Sequence, residues 1–142
     1  MPENPVFVET WTVSEEDLDE LRHVNNLQYI RWTLNAASAH SRHVGWPSDR
    51  YREMGFGWVV RSHNITYKVP ALAGDEILIR TWIADMERMS SLRKYEIVRS
   101  SDHRVCALAE TRWVFVDLST LKLTQIPQEI RNAFSLPKET QE

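Results

Sequence analysis

The apolar positions follow two different periods along the chain. Val6 to Val13 is rich in β-branched and aromatic residues, with Phe7, Trp11 and Val13 on one parity, and predicts a first strand. After a polar, acidic connection, Ser14 to Arg22, with room for one short helical turn, the period becomes helical. Leu27, Ile30, Leu34, Ala37, Ser41 and Val44 recur at steps of three and four, predicting a long helix with one buried stripe. The middle of that helix, Asn35 to Ala39, is small and would let a sheet approach closely. Gly45 is the expected stop, and Pro47 at a first helical position and Gly55 bracket a short second helix, Ser48 to Met54.

From Trp58 onward the period is two. Trp58 to Val69 predicts a long strand with Val59, His63, Ile65, Tyr67 and Val69 on one face, ended by Pro70. Ala73-Gly74-Asp75 predicts the turn into a strand over Glu76 to Ala84, where Ile77, Ile79, Thr81 and Ile83 share a face. The polar run Asp85 to Ser91 leads to Leu92 to Arg99, and Ser101 to Arg104 turns the chain into Val105 to Asp117. Such spacing implies an antiparallel meander. Pro127 to Phe134 predicts a last short helix.

Strand, long helix, short helix, four strands and a terminal helix make an α+β class, one sheet covered by one long helix. No repeat or linker divides residues 1–142, so one domain is expected. A lone sheet with a single covering helix leaves a long edge strand, best assigned to Trp58 to Val69. The chain should therefore form at least a homodimer, with a homotetramer as the larger alternative.

Composition narrows the function. With 142 residues, 42% hydrophobic, the chain has material for a sizeable core. A net charge of −3 provides no overall attraction to nucleic acid or to an anionic membrane, and no apolar run reaches bilayer length. One cysteine, Cys106, precludes an intrachain disulfide framework, and Met1 to Asn4 lacks the blocks of a secretory signal. A soluble, cytoplasmic protein is expected. His40-x-x-His43 has helical spacing for a metal but lacks an evident third ligand, so neither a metal nor an organic cofactor is expected.

The densest chemistry lies in Asp19-Glu20-Leu21-Arg22-His23-Val24-Asn25-Asn26, immediately before the long helix. Asn25 is the expected N-cap, with Gln28 completing an approximate capping box and Asn26 as the alternative cap. First-turn N–H groups lack intrahelical partners and lie at the positive helix end. Around Asn25, Asn26 and Leu27 they would therefore stabilise an oxygen that gains negative charge. Capping and turn formation alone would also account for Asp19, Asn25 and Asn26.

Asp-x-x-x-His-Val-Asn-Asn ahead of a central helix, with Tyr29 and Trp32 on that helix, resembles the hot-dog fold acyl thioesterases. The nearest look is the 4-hydroxybenzoyl-CoA thioesterase superfamily and, within it, acyl-acyl-carrier-protein thioesterases. The resemblance continues through Ile65-Thr66-Tyr67, Pro70-Ala71, Gly74-Asp75, Arg93 to Ile97 and Thr111 to Asp117. It implies a five-stranded or larger antiparallel sheet wrapped around the long helix, and hydrolysis of an acyl-CoA or acyl-carrier-protein thioester. Asp19 would be base or nucleophile, with His23 and Asn25 assisting, and Asn26, Leu27 and Tyr29 facing substrate. Two departures stand out. Arg22 occupies a position that is usually glycine or glutamine in that family, and no carboxylate stands near Pro70-Ala71, where plant-type members carry an additional acid.

Phosphates of a CoA or carrier-protein arm need cationic donors, for which Arg93 is the chosen candidate, beside Arg88, Lys94, Arg99 and Arg104. Trp32, Trp46 and Trp58 suit the core or an acyl channel. Two other functions fit the same features. One is a hot-dog hydratase or dehydratase on acyl thioesters, and the other is an acyl-ligand binding module without turnover.

Overall fold

The computed structural model describes residues 5–134. In chain order these form β1 (Phe7–Thr12), a 3₁₀ turn (Glu15–Asp17), α1 (Asn26–His43), α2 (Ser48–Met54) and β2 (Phe56–Tyr67). Then come β3 (Glu76–Met86), β4 (Ser90–Arg99), β5 (Arg104–Asp117) and α3 (Gln128–Phe134). The five strands make one antiparallel sheet in the order β1-β3-β4-β5-β2, and α1 packs against its inner face. This is the sheet-around-helix arrangement that the resemblance implies.

The expected meander holds only for β3, β4 and β5. Instead of turning back on β3, β2 runs along the far edge and pairs with β5, while β1 fills the other edge beside β3. Gly74 and Asp75 thus belong to a crossover. Its residues tie to Val13, where Gly74 N–H donates to Val13 O (2.9 Å) and Val13 N–H to Asp75 O (2.9 Å). Turn residues in sequence look alike whether the strands they join are neighbours or not, which is why this distinction escaped the pattern.

The buried face of α1 also differs from the expected stripe. Tyr29, Trp32, Thr33, Ala36, Ala37, Ala39 and His40 are buried, whereas Leu27 is 67% exposed and Ile30, Leu34, Ser41 and Val44 are only partly covered. Aromatic bulk at Tyr29 and Trp32 competes with the aliphatic spacing and wins, because those rings bury more area. They pack with Val13, Val24, Ile77, Ile79 and Ile97. Beyond the small middle of α1, a second cluster joins Trp46, Tyr51, Ile83, Phe115, Ile130 and Phe134 around α2 and α3.

In β2 a bulge between Val60 and Ser62 reverses the parity. Val59 therefore faces out, and Trp58 shares the inner face with His63 and Ile65. Pro47 is the N-cap of α2, one place earlier than expected, and Gly55 ends that helix in the left-handed region at φ +83°.

Candidate active site at the head of α1, and a cavity behind its second half

The loop preceding α1 is held by backbone groups. Asp19 Oδ1 accepts from Leu21 N–H (2.9 Å) and His23 N–H (3.2 Å), and Asp19 N–H donates to His23 O (2.7 Å). Among the described residues, Asp19 Oδ2 has no hydrogen-bond partner. Arg22 closes this loop at φ +67°, a region that costs an L-residue roughly 1–2 kcal/mol and explains why glycine suits the position. Its guanidinium pairs with Glu15 (2.9 Å) rather than with Asp19.

Three further contacts aim the start of α1. Val24 N–H donates to Ala71 O (3.3 Å), Asn25 N–H to Asp17 O (2.8 Å), and Ala71 N–H to the Tyr29 hydroxyl (3.0 Å). The segment Pro70-Ala71 thus serves as a buttress, at the place where the resemblance implies an additional acid. Asp17, which the sequence reading passed over, is buried, and its Oδ2 takes Ser14 N–H (2.9 Å) and Trp11 Nε1–H (3.2 Å). It is an anchor under the loop, and three acidic neighbours in sequence hid it.

Asn25 is the N-cap, its Oδ1 accepting from Leu27 N–H (2.8 Å). The capping box does not form. Gln28 Oε1 accepts from Arg31 (3.4 Å), and the Asn25 N–H it would have taken goes to Asp17 O. Leu27 N–H is spent on the cap and Gln28 N–H on Asn25 O (2.9 Å), so the Asn26 N–H is the first-turn donor left open among the described residues. Asp19, His23, Asn25, Asn26 and Leu27 share this exposed mouth. Tyr29 does not, because its ring is buried against Trp32 and its hydroxyl is occupied by Ala71, which corrects its assignment as a substrate contact.

Arg93 also leaves the expected place. It is 4% exposed on the inner face of β4, so it is no part of a solvated phosphate fringe. Its Nη1 bonds His40 Nδ1 (2.9 Å) and Thr81 Oγ1 (3.0 Å). His40 lies 14 residues beyond Asn26, which at 1.5 Å per residue puts Arg93 about 20 Å along α1 from the mouth. Burial, then Arg93 and His43, bring the His40 imidazole down to about 3, so it is a neutral acceptor for the Arg93 N–H. Burial also lowers the Arg93 guanidinium to about 10, which leaves it cationic at neutral pH.

Arg93 lines a cavity of about 270 Å³ between the second half of α1, α2 and the sheet. Trp46, Phe56, Trp58, Ile83, Met86 and Trp113 supply apolar walls. Tyr51, Ser41 and Ser91 supply hydroxyls, none of which the sequence pattern marks as a site residue, Ser41 standing there only as part of the helical stripe. Their common signal is position: they come together from three elements, α1, α2 and β4. Trp32, in contrast, is wholly core. His40 and His43 gather no third ligand, since no group of three His, Cys, Asp or Glu suited to a metal occurs among the described residues. No helix among them is long and apolar enough to cross a membrane.

A family model described as the thioesterase-like superfamily matches residues 13–134. Over 102 residues the chain is 28% identical to the Oleoyl-acyl carrier protein thioesterase 1, chloroplastic, of Arabidopsis thaliana, covering 67% of this chain and 28% of that protein. Over 117 residues it is 27% identical to the Long-chain acyl-CoA thioesterase FadM of Escherichia coli, covering 80% of this chain and 86% of that one. The solved structure of a 1,4-dihydroxy-2-naphthoyl-CoA thioesterase from Synechocystis superposes with a TM-score of 0.85 at 21% identity, covering 92% and 96% of the two chains. The chain thus spans little more than a quarter of the chloroplast relative.

Proposed function

The chain belongs to the thioesterase-like superfamily, and from that premise we propose that it hydrolyses an acyl thioester of coenzyme A or acyl carrier protein. The observation that carries this is the presence, at one exposed helix mouth, of a carboxylate oxygen and a backbone donor that both lack partners among the described residues: Asp19 Oδ2 and Asn26 N–H.

Asp19 Oδ2 takes a proton from a water whose oxygen attacks the thioester carbonyl carbon, or it attacks that carbon itself and forms a mixed anhydride that water then hydrolyses to the free acid and Asp19. The carbonyl oxygen becomes an oxyanion, which the Asn26 N–H and the positive end of α1 stabilise. As the C–S bond breaks the thiolate leaves, and it is protonated by the acid form of Asp19 in the first route and by the proton of the hydrolytic water in the second. Asn25 Oδ1 accepts from Leu27 N–H, and among the described residues nothing takes its amide N–H groups, which would orient water or the thioester, with His23 two residues earlier on the same loop assisting. The names of the curated relatives, an acyl-carrier-protein and an acyl-CoA thioesterase, support both carriers as substrate classes.

The partner is a second copy of the chain. β2 is an edge strand, and Val59, Val60 and Tyr67 on it are exposed apolar side chains. Antiparallel pairing of β2 with its symmetry mate about a two-fold axis normal to the sheet would reverse α1. The mouth of one copy would then lie toward the second half of the other copy's helix. Two such dimers make the tetrameric alternative.

Thiol release from a panel of acyl-CoA and acyl-carrier-protein thioesters tests the function. Hydrolysis releases thiol. Hydration would change only the acyl chain, and a binding module would do neither, so either of those outcomes overturns the reading.

A further inference from the structure

We propose that the cavity behind α1 is a carboxylate subsite, in which Arg93 clasps the acid group of a compact apolar ligand through its Nε–H and Nη2–H edge. This rests on the thioesterase reading only for the source of the ligand, the far end of a carboxyl-bearing acyl group.

A guanidinium has five N–H groups, and the two on Nη1 go to His40 Nδ1 and Thr81 Oγ1. Among the described residues nothing takes Nε–H or the two hydrogens of Nη2, and no carboxylate pairs with Arg93. Nor are these nitrogens among the sealed, unpartnered polar atoms of the interior, which are Trp32 Nε1, His63 Nε2, Tyr95 Oη and Trp113 Nε1. Their residue borders the cavity. Nε–H and the adjacent Nη2–H are parallel donors on one side of the fork, the geometry that receives both oxygens of a carboxylate.

Three wall hydroxyls are already committed within the protein. Ser91 Oγ donates to Asp85 O (2.9 Å), and Ser41 Oγ donates to Trp46 O (2.6 Å). That commits the serine hydrogen, so Tyr51 donates to Ser41 Oγ (3.3 Å) while accepting from Trp58 Nε1–H (3.0 Å). Arg93 is therefore the buried charged group on the wall whose donors are neither taken nor sealed among the described residues, whereas the unpartnered Trp113 Nε1 is closed off from the cavity. A buried cation without a counter-ion is costly, and a well-packed apolar residue would serve the fold at least as well. Trp46, Trp58 and Trp113 around it suit an aryl or alkyl body. Water has a volume share of about 30 Å³, so a 270 Å³ space corresponds to about nine waters, enough for a short acyl or a single-ring acid.

Reach fixes the length to be tried. An extended chain advances roughly 1.2 Å per bond, from the span of about 3.5 Å per three-bond residue, so a thioester held at this chain's own mouth needs about sixteen carbons. A thioester held by a second copy needs fewer.

Two experiments test the subsite. In the first, benzoate and hexanoate are titrated calorimetrically against benzamide and hexanol into the wild type, Arg93→Met and Arg93→Lys. Carboxylates should bind the wild type at least tenfold tighter than the neutral analogues, as expected for about 1.5 kcal/mol or more from a charged hydrogen bond. Arg93→Met should lose that preference with an unchanged or higher Tm, and Arg93→Lys, which keeps the charge without the fork, should fall between. Equal binding of acids and neutral analogues by the wild type, or wild-type acid binding by Arg93→Met, overturns the subsite. Should Arg93→Met not fold, wild-type acid affinity in Arg93→Lys overturns the clasp.

The second experiment compares kcat/KM for ω-carboxyacyl-CoA and plain acyl-CoA at about eight and about sixteen carbons. The wild type should prefer the carboxylated form at one of these lengths, and Arg93→Met should lower that ratio at least tenfold. Acid binding without such a preference overturns the acyl source and leaves a free carboxylic acid as the ligand. No hydrolysis of any thioester, with acid binding intact, overturns the thioesterase reading and not the subsite.

Discussion

The two ends of α1 treat charge in opposite ways. At its head, Asp19, Arg22 and His23 stand in solvent, each tied to backbone or to a surface partner, and the loop holds them by short-range contacts within a few residues. Around its second half, Arg93 and His40 sit in the buried interior, joined across 53 positions of sequence, with aromatic rings of Phe7 and Phe134 against the imidazole. Water screens the first set, so its energetic weight is small and its worth is chemical. Desolvation penalises the second, so its retention asks for a ligand. The difference teaches that exposure makes a polar group cheap to keep, and burial makes it informative.

The largest effect is expected at the head. Asp19→Asn keeps the size and a carbonyl oxygen for Leu21 and His23 N–H, and removes the base. Turnover should fall at least about 10²-fold with little change in Tm. Asp19→Ala should lose the same activity and also some stability, about 1 kcal/mol for the lost backbone contacts. Near-normal turnover in Asp19→Asn would break the chemical reading of this end.

Next is the edge that would bring the two ends together from different copies. Val60→Lys sets like charges across the pairing axis, and light scattering should show a shift toward monomer, with activity falling in parallel. A wild-type protein that is a stable monomer at micromolar concentration removes the shared arrangement.

The buried end should show itself in pH dependence. His40 is neutral in the fold, with its protonation held down to about 3, whereas the unfolded chain takes up that proton near 6.5. Its contribution is therefore fully present above pH 6.5 and is lost as pH falls from there toward about 3. Burial lowers His63 in the same direction, so denaturation midpoints of His40→Gln, which keeps an acceptor for Arg93, should fall less steeply over that window without becoming flat. An unchanged slope would mean that this end is wetter than its packing implies.

The smallest effect concerns Arg22. Arg22→Gly relieves the positive φ and loses an exposed ion pair, whereas Arg22→Ala loses the pair and keeps the strain. The glycine variant should be more stable than the alanine one by about 1 kcal/mol by thermal melting, and near the wild type. Equal melting of the two would show that the loop is not held in the left-handed region.

How far the residues alone carried the reading follows from the range of the interactions. The head of α1 was legible because capping, turn closure and first-turn donors act over a few residues: Asp19, His23, Asn25 and Asn26 are all where the string places them, and the helix starts one residue after its cap. The strands were legible for the same reason, as alternation is local, and their residues ended within a few positions of the expected limits. Which strands pair was not, since the turn before β3 carries no mark of the two strands that lie between β2 and β3. The true buried face of α1 depended on which rings the sheet could accept, and the bulge in β2 reversed a face that alternation had assigned. Arg93 shows the limit most sharply. In a row of basic residues it looks like a surface cation, and only closure of α1, α2, β2 and β5 around β4 removes it from water, because burial is a property of what packs across a residue and not of its neighbours along the chain.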